Sequence, residues 1–550
     1  KAMTWESDKD GYRSHGSWGA EGDIYIMFFD AKAMTEFFRD KEGTEIAKML
    51  AGDEKKDDKK DEKKDSVKKV EKIKLDLEGR EDRIFRLTRN SGRIGTHFLT
   101  EDGKKLLYIV RLESGYDLCS MDLEDKSVRV LKKGVYGFVP SPDGKNIYIS
   151  TGGGISKMSV NGGESKSISY AGEYEYKPKA EREYIFDHMW KQVKEKFYDP
   201  DLHGVDWDYY RENYRKFLPY INNDFDFAEL LSEILGELNA SHTGGRYRYS
   251  SGLSFGTLGV LYDSEYDGDG LKIKEVLPDG ALSIADSEIK AGDIITSIEG
   301  KKIEAGKDWY QLLTGKAGKK IAITVKKGGK KETELFVTPG YSDNALLYRR
   351  WVKMREAKVK ELSGGKIGYV HVQGMDSPSF REVYSKALGK YRTADALIVD
   401  TRHNGGGWLH DDLVTFLGGK DYVNYQPRGR FIGKDPYSKW SKPSCVLVCE
   451  DNYSDACGFP YAYKALGIGK LIGAPVAGTM TAVWWEYQIN SSIVFGIPQV
   501  GSWCIDEGHY SENHQIEPDI LVYNDPASVL RGEDRQLEAA VREMLAETKK

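Results

Sequence analysis

Apolar positions along this chain follow two periods, and the points where one gives way to the other divide it. Up to about residue 172 the runs are short and β-rich: "DIYIMFF" at 23–29, "KLLYIV" at 105–110 and "NIYIS" at 146–150. Asp-Gly or Gly-Asp turns precede them, so strands are predicted. The pattern also repeats. Asp102-Gly103-Lys104 before Leu107-Tyr108 recurs as Asp143-Gly144-Lys145 before Ile147-Tyr148, 41 residues on. That period suits one four-stranded propeller blade. Asp10-Gly11 reads as an earlier copy with an insert behind it. Two or three blades cannot close a ring, which takes at least about four. The expectation is therefore a partial β-propeller, the last blades of a longer chain, with a small open β-domain as the alternative.

From 177 to 240 the period turns helical. Phe186, Trp190, Val193 and Phe197 fall three or four apart, and Phe227, Leu230, Leu231, Ile234, Leu235 and Leu238 make a second stripe. The paired glycines of "ELNASHTGG" (237–245) are expected to stop that helix. Alternation returns from 253 to 340. A basic amphipathic stretch at 345–362 predicts a linking helix. Beyond it, buried-type strands "KIGYVHV" (366–372), "ALIVDT" (396–401), "SCVLVCE" (444–450) and "KLIGAPVAG" alternate with helices near 378–390, 408–417 and 455–466. Continuous apolar strands separated by helices predict an α/β domain with a largely parallel sheet. Sites in such sheets lie at the carboxyl ends of strands.

Composition adds limits. A chain of 550 residues predicts about three or four domains. With 39% hydrophobic residues, 34 Tyr and 11 Trp it can fill several cores, which excludes a wholly disordered or collagen-like chain. No apolar run reaches the roughly 18 residues of a membrane helix. A net charge of −6 supplies no global basic field, so no nucleic-acid partner is expected. Five cysteines make no disulfide framework, and their odd number points to a reducing space, cytoplasm ahead of periplasm. The segment "DEKKDDKKDEKKD" (53–65) mixes signs too evenly for a binding tail and reads as a solvated loop.

Two turns carry candidate chemistry. Arg402-His403-Asn404-Gly405-Gly406-Gly407 follows a strand and opens a helix. Backbone N–H groups there suit an anion or a developing oxyanion. Neither a P-loop nor a dinucleotide fingerprint fits, and a plain tight turn is the alternative. Ser454 stands after the next strand, at a helix start, placed as a nucleophile or as an ordinary N-cap. Cys457 inside that helix reads as a buried structural thiol. No H-E-x-x-H or C-x-x-C is present, so neither metal nor cofactor is expected.

Residues 253–340 resemble a PDZ domain through Phe255-Gly256-x-Leu258-Gly259, the turn Val276–Ala281 and Ile289–Ile295. Such domains add a peptide as a strand, so Phe255, Gly256, Leu258 and Gly259 become groove candidates by that resemblance. The whole chain resembles the tricorn proteases within the carboxyl-terminal processing peptidases. The motifs are "VDTRHNGGG" (399–407), "NYSDACGFPYAYKALG" (452–467) and "SENHQIEPDI" (511–520), in order behind the PDZ segment. The resemblance implies a multidomain α+β chain: a partial propeller at 1–172 with its charged loop at 50–70, a helical domain at 177–250, the PDZ domain, and an α/β serine peptidase domain at 345–550. It implies endopeptidase activity on peptides or unfolded polypeptide, and a homo-oligomer. Ser454 would be the nucleophile, His242 the base, Glu512 the carboxylate that orients it, and Ser241 a support for that carboxylate. Gly406 and Asp455 N–H groups would form the oxyanion hole, with Gly405 as second choice.

The segment 474–482 lacks the lysine of Ser–Lys processing peptidases. Lys470 is the nearest one, so the dyad stays only an alternative, as does a non-catalytic scaffold. Gln515 stands where the family often has glycine beside the glutamate. Among the other polar residues, His403, His509 and His514 read as structural or substrate-lining, His371 as a packed strand residue, and Glu507 and Glu517 as lesser rivals to Glu512.

Overall fold

A computed structural model describes residues 1–12, 20–39, 41–53, 75–113, 115–249, 252–283, 288–328 and 331–549. Most of the charged segment, 54–74, lies outside the described residues. The chain forms two compact units, Lys1–Glu175 and Tyr176–Lys550. Among the described residues no helix is long and apolar enough to cross a membrane.

The first unit is antiparallel. Ala2–Ser7, Asp23–Phe28 and Ile84–Arg86 form a three-stranded sheet. Two four-stranded meanders follow, Ile94–Leu99 through Val128–Lys132 and Val135–Pro140 through Lys166–Ile168. Among the described residues their sheets do not close into a ring. The sequence repeat is one turn used twice. Asp102 accepts from the Thr100 hydroxyl at 2.7 Å and Lys104 N–H at 3.1 Å; Asp143 does the same with Ser141 at 2.5 Å and Lys145 at 3.1 Å. Gly103 and Gly144 have φ of 67° and 64°. Gly11 has no such positive φ, so Asp10-Gly11 does not repeat this turn.

The second unit begins with helices Pro178–Lys196, Trp207–Arg215 and Asp224–Gly236. Both predicted stripes face inward: Phe186, Val193 and Phe197 pack with Phe227, Leu231, Ile234 and Leu238, while Trp190 is half-buried against them. Asn223 caps the third helix by accepting from Asp226 N–H. The helix stops at Gly236, before the expected glycines; Gly244 and Gly245 instead open the strand Gly244–Tyr247. A Cβ at Gly245 would lie 2.6 Å from the Ala228 carbonyl, so glycine lets this strand press on the helix. The strand pairs with Ile493–Gly501, which pairs with Thr481–Tyr487. That small sheet joins the helical region to the peptidase-like segment.

The PDZ-like segment is a six-stranded antiparallel sheet whose core holds Leu258, Ile273, Ile295, Ile323 and Val325. Helix Asn344–Ser363 then leads to a wholly parallel sheet: Ile367–His371, Ala396–Asp400, Ser444–Val448, Lys470–Gly473 and Ile520–Leu521. Helices cover both faces, which is why the first three strands are buried at every position. On one face Leu413, Phe416, Phe459 and Tyr463 pack; on the other Val359, Leu537, Ala540 and Met544. Helix Ser377–Ser385 passes into a wider turn over Lys386–Lys390, within the predicted span.

Candidate active site

Two turns leave the carboxyl edge of the parallel sheet side by side. The first follows Asp400, whose buried carboxylate pairs with Arg402 at 2.7 Å; Arg402 also reaches Asp534 at 2.9 Å. Burial alone would raise Asp400, but the guanidinium outweighs it and holds the carboxyl down to about 2. This buried pair fixes the start of the glycine-rich turn. Asn404, fully buried, donates to the Val372 carbonyl at 2.8 Å and accepts from Gly406 N–H at 2.8 Å.

The second turn carries Ser454. Its φ of 57° and ψ of −125° lie outside the ordinary regions, a cost of about 1–3 kcal/mol that functional turns tolerate. Ser454 heads helix Asp455–Ala465, yet its side chain makes no capping bond. The ordinary N-cap reading therefore fails here. Ser454 N–H donates to Thr479 Oγ1 at 3.0 Å, and Tyr453 N–H to the Asn404 carbonyl at 3.0 Å, which ties the two turns together. Gly406 must be glycine: its φ is 96°, and a Cβ would stand 2.5 Å from Ser454 Cβ and 2.7 Å from the Tyr453 carbonyl. Asp455 turns its buried carboxylate to Leu409 N–H, His410 N–H at 3.1 Å and the His410 ring. That bond raises the His410 pKa against the opposing effect of burial.

His242 reaches this edge from the helical region, in the loop before Gly244–Tyr247. Its N–H donates to the Tyr453 hydroxyl at 2.7 Å, and the rings of His242 and Tyr453 lie 4.6 Å apart. Nδ1 faces Ser241 Oγ at 2.8 Å and Thr481 Oγ1 at 3.0 Å. Ser241 Oγ donates to Glu512 Oε2 at 2.9 Å, and Ser241 N–H donates to Glu512 Oε1. The Ser241 proton is thus committed to the carboxylate. Toward Ser241, Nδ1 must then be the donor, which leaves Nε2 of the neutral ring as the basic nitrogen. Burial, with Arg246 second, lowers the His242 pKa to about 4. Burial raises Glu512, opposed by the two Ser241 donors and by His203. No hydrogen bond joins Ser454 Oγ to His242 among the described residues.

The structure thus gathers Ser454, Tyr453, His242, Ser241 and Glu512 in one hydrogen-bonded neighbourhood. Ser241 holds the Glu512 carboxylate through two hydrogen bonds and also touches His242 Nδ1. Gly406 N–H is engaged by Asn404, whereas among the described residues Gly405 and Asp455 N–H meet no acceptor. Lys470 sits at the opposite end of its strand, paired with Glu543 at 2.6 Å. Cys457 is fully buried, its thiol pushed up to about 11 by burial. His371 is buried between the Tyr348 hydroxyl at 2.9 Å and the Arg402 carbonyl at 3.0 Å. His403 pairs with Asp451 and Glu507 with His509, while the Glu517 carbonyl accepts from Lys464. In the PDZ-like segment Leu258 is spent on the core, and Gly256 N–H donates to Leu313; Phe255 alone of the four is exposed. Sequence reasoning did not single out Tyr453, Thr479 or Thr481. The two threonines stand in the segment searched for a lysine.

Three family models match the chain: the tricorn protease C1 domain over 178–236, the tricorn protease PDZ domain over 256–340 and peptidase family S41 over 366–522. Tricorn protease homolog 1 of Streptomyces coelicolor is 28% identical over 508 residues, covering 86% of this chain and 47% of that protein. Tricorn protease of Thermoplasma volcanium is 27% identical over 447 residues, 79% of this chain and 43% of that one. A crystal structure of the tricorn protease shares the fold, with a TM-score of 0.80 and 19% identity, over 100% of this chain and 54% of that chain. The chain spans about half the length of the relatives it matches. The S41 match places a serine-type peptidase domain over 366–522. With the C1 and PDZ matches before it, the chain is similar to tricorn proteases across these three segments.

Proposed function

We propose that the chain is a serine endopeptidase that cleaves peptides or unfolded polypeptide through an acyl-enzyme on Ser454. The observation that carries this is the run from Glu512 through Ser241 to His242 Nδ1, beside the strained Ser454. Ser454 Oγ attacks the scissile carbonyl and gives its proton to His242 Nε2. The oxyanion is held by Asp455 N–H together with a glycine N–H, Gly405 as it stands or Gly406 after Asn404 lets go. His242 then protonates the departing amine, and water, deprotonated by the same ring, releases the acid. Glu512 stabilises the imidazolium through Ser241. Fluorogenic peptide turnover tests the reading: Ser454→Ala should abolish it with the fold intact, and surviving turnover would refute it.

We read the two four-stranded meanders as propeller blades and the units as blades to 172, helices over 177–250, PDZ over 253–340 and peptidase over 345–550. The PDZ and blade portions would present substrate, and self-association is part of the same proposal. The fully buried Arg402–Asp400 anchor and the strained serine favour catalysis over a scaffold. The placing of Lys470 at the far end of its strand disfavours a Ser–Lys dyad.

A further inference from the structure

The hairpin that leads into Glu512 carries an unused donor set. Trp503–Cys504 pairs with His509–Tyr510, and Cys504 stands directly opposite His509. Glu507 lies in the turn between them, its Oε2 3.1 Å from His509 Nε2. One ligand atom each from Cys504, Glu507 and His509 falls within 4.8 Å of the others. Tetrahedral zinc with bonds near 2.0–2.3 Å sets its ligand atoms about 3.3–3.8 Å apart, so a side-chain adjustment of about 1 Å closes this set. A search for H-E-x-x-H or C-x-x-C spacing passes over it, because a hairpin rather than a helix brings the three together.

The groups behind these residues are those a metal site needs. His509 Nδ1 lies 2.8 Å from the Tyr510 carbonyl. A carbonyl only accepts, so Nδ1 carries a proton, and Nε2 faces the Glu507 carboxylate, where a bound cation would replace the proton the two share. His509 also stacks on His514 at 3.8 Å, which fixes the plane of its ring. Burial raises the Cys504 thiol, opposed by a hydrogen bond from the Tyr461 hydroxyl to the sulfur. A second cluster, His403, Cys449 and Asp451, has the same ligand types. There Nδ1 of His403 is turned to Asp451, and both side chains are more than 60% exposed, at 61% and 63%. His403 N–H donates to the Cys449 sulfur there, but among the described residues the His403 ring has no second hydrogen bond to orient it.

We propose that Cys504, Glu507 and His509 bind a thiophilic divalent cation of the zinc class, with water in the fourth position. Cys504 gives up its thiol proton to solvent on binding. The cation would fasten the hairpin just ahead of Ser511 and Glu512, where Ser511 N–H already donates to the Ser502 carbonyl at 2.9 Å. The inference stands apart from the peptidase reading, since metal binding is read without turnover.

The test is a cobalt(II) titration of the whole chain under reducing conditions, followed by absorbance. One equivalent should give a thiolate-to-cobalt charge-transfer band with tetrahedral visible bands, and zinc should displace both. Cys504→Ser and His509→Ala should lose the band, and Glu507→Gln should weaken binding roughly 10–100-fold. Cys449→Ser should keep it. No thiolate band in the parent chain, or a band that survives Cys504→Ser, overturns the proposal. If Cys504→Ser does not fold, the partly exposed Glu507→Gln and His509→Ala decide: undiminished affinity in both overturns it equally.

Discussion

Ser241 Oγ lies 2.8 Å from Nδ1 of His242, the next residue in the chain, while its own proton goes to the Glu512 carboxylate. The carboxylate therefore acts on the imidazole through a hydroxyl. Ser241→Ala removes that link and leaves Glu512 buried with one donor fewer. The expected result is a kcat loss of roughly 10²-fold or more, the scale of acid–base assistance, with KM little changed. Ser241→Thr, which keeps the hydroxyl, should recover much of it. Equal kcat for parent and Ser241→Ala would remove the bridge from the mechanism.

The acid limb of kcat/KM should fall far below the ordinary histidine range. Burial and Arg246 hold His242 down to about 4, so the ring stays neutral and basic until the pH approaches that value. The linkage has the same sign. An unfolded histidine takes up its proton near 6.5 and the folded one does not, so this group's contribution to stability is complete above 6.5 and is lost as pH falls toward 4. Arg246→Ala should move the acid limb upward. A limb at 6.5 in the parent chain would show His242 to be solvated, or not the base.

Gly406→Ala should be severe. The new Cβ meets Ser454 Cβ at 2.5 Å and the Tyr453 carbonyl at 2.7 Å, on a backbone with φ of 96°. Overpacking of this kind costs about 1–3 kcal/mol, and here it displaces Ser454, the proposed nucleophile. Peptide turnover should collapse while circular dichroism stays native.

Lys470→Met should leave kcat/KM unchanged. Lys470 lies at the amino end of its strand, away from the carboxyl end of the sheet where Ser454 sits, and is paired with Glu543 and Glu547. A total loss of turnover without unfolding would restore the dyad.

Much of this was legible because burial writes itself into apolar runs. "ALIVD" and "SCVLV" are buried at every position, so the parallel sheet and its carboxyl edge followed from pattern alone. Ser454, His242 and Glu512 came from motifs, not from pattern, being 270 residues apart at the extremes (His242 to Glu512). What stayed hidden depends on directions in space. Nothing local tells that Ser241 points one bond to His242 and another to Glu512, or that Thr481, across the small sheet, shares Nδ1. The helix ends at Gly236 without the glycines: Gly245 is required by close packing on Ala228 and Gly244 by its φ of 122°. Asn404 taking the Gly406 N–H is likewise a tertiary fact.

The most direct measurement of the central claim is the rate and site of fluorophosphonate labelling on the intact chain, read by mass spectrometry. The account predicts a single adduct on Ser454, absent in Ser454→Ala and slowed by orders of magnitude in His242→Ala. An adduct on another residue, or labelling of Ser454 at the parent rate without His242, would contradict it.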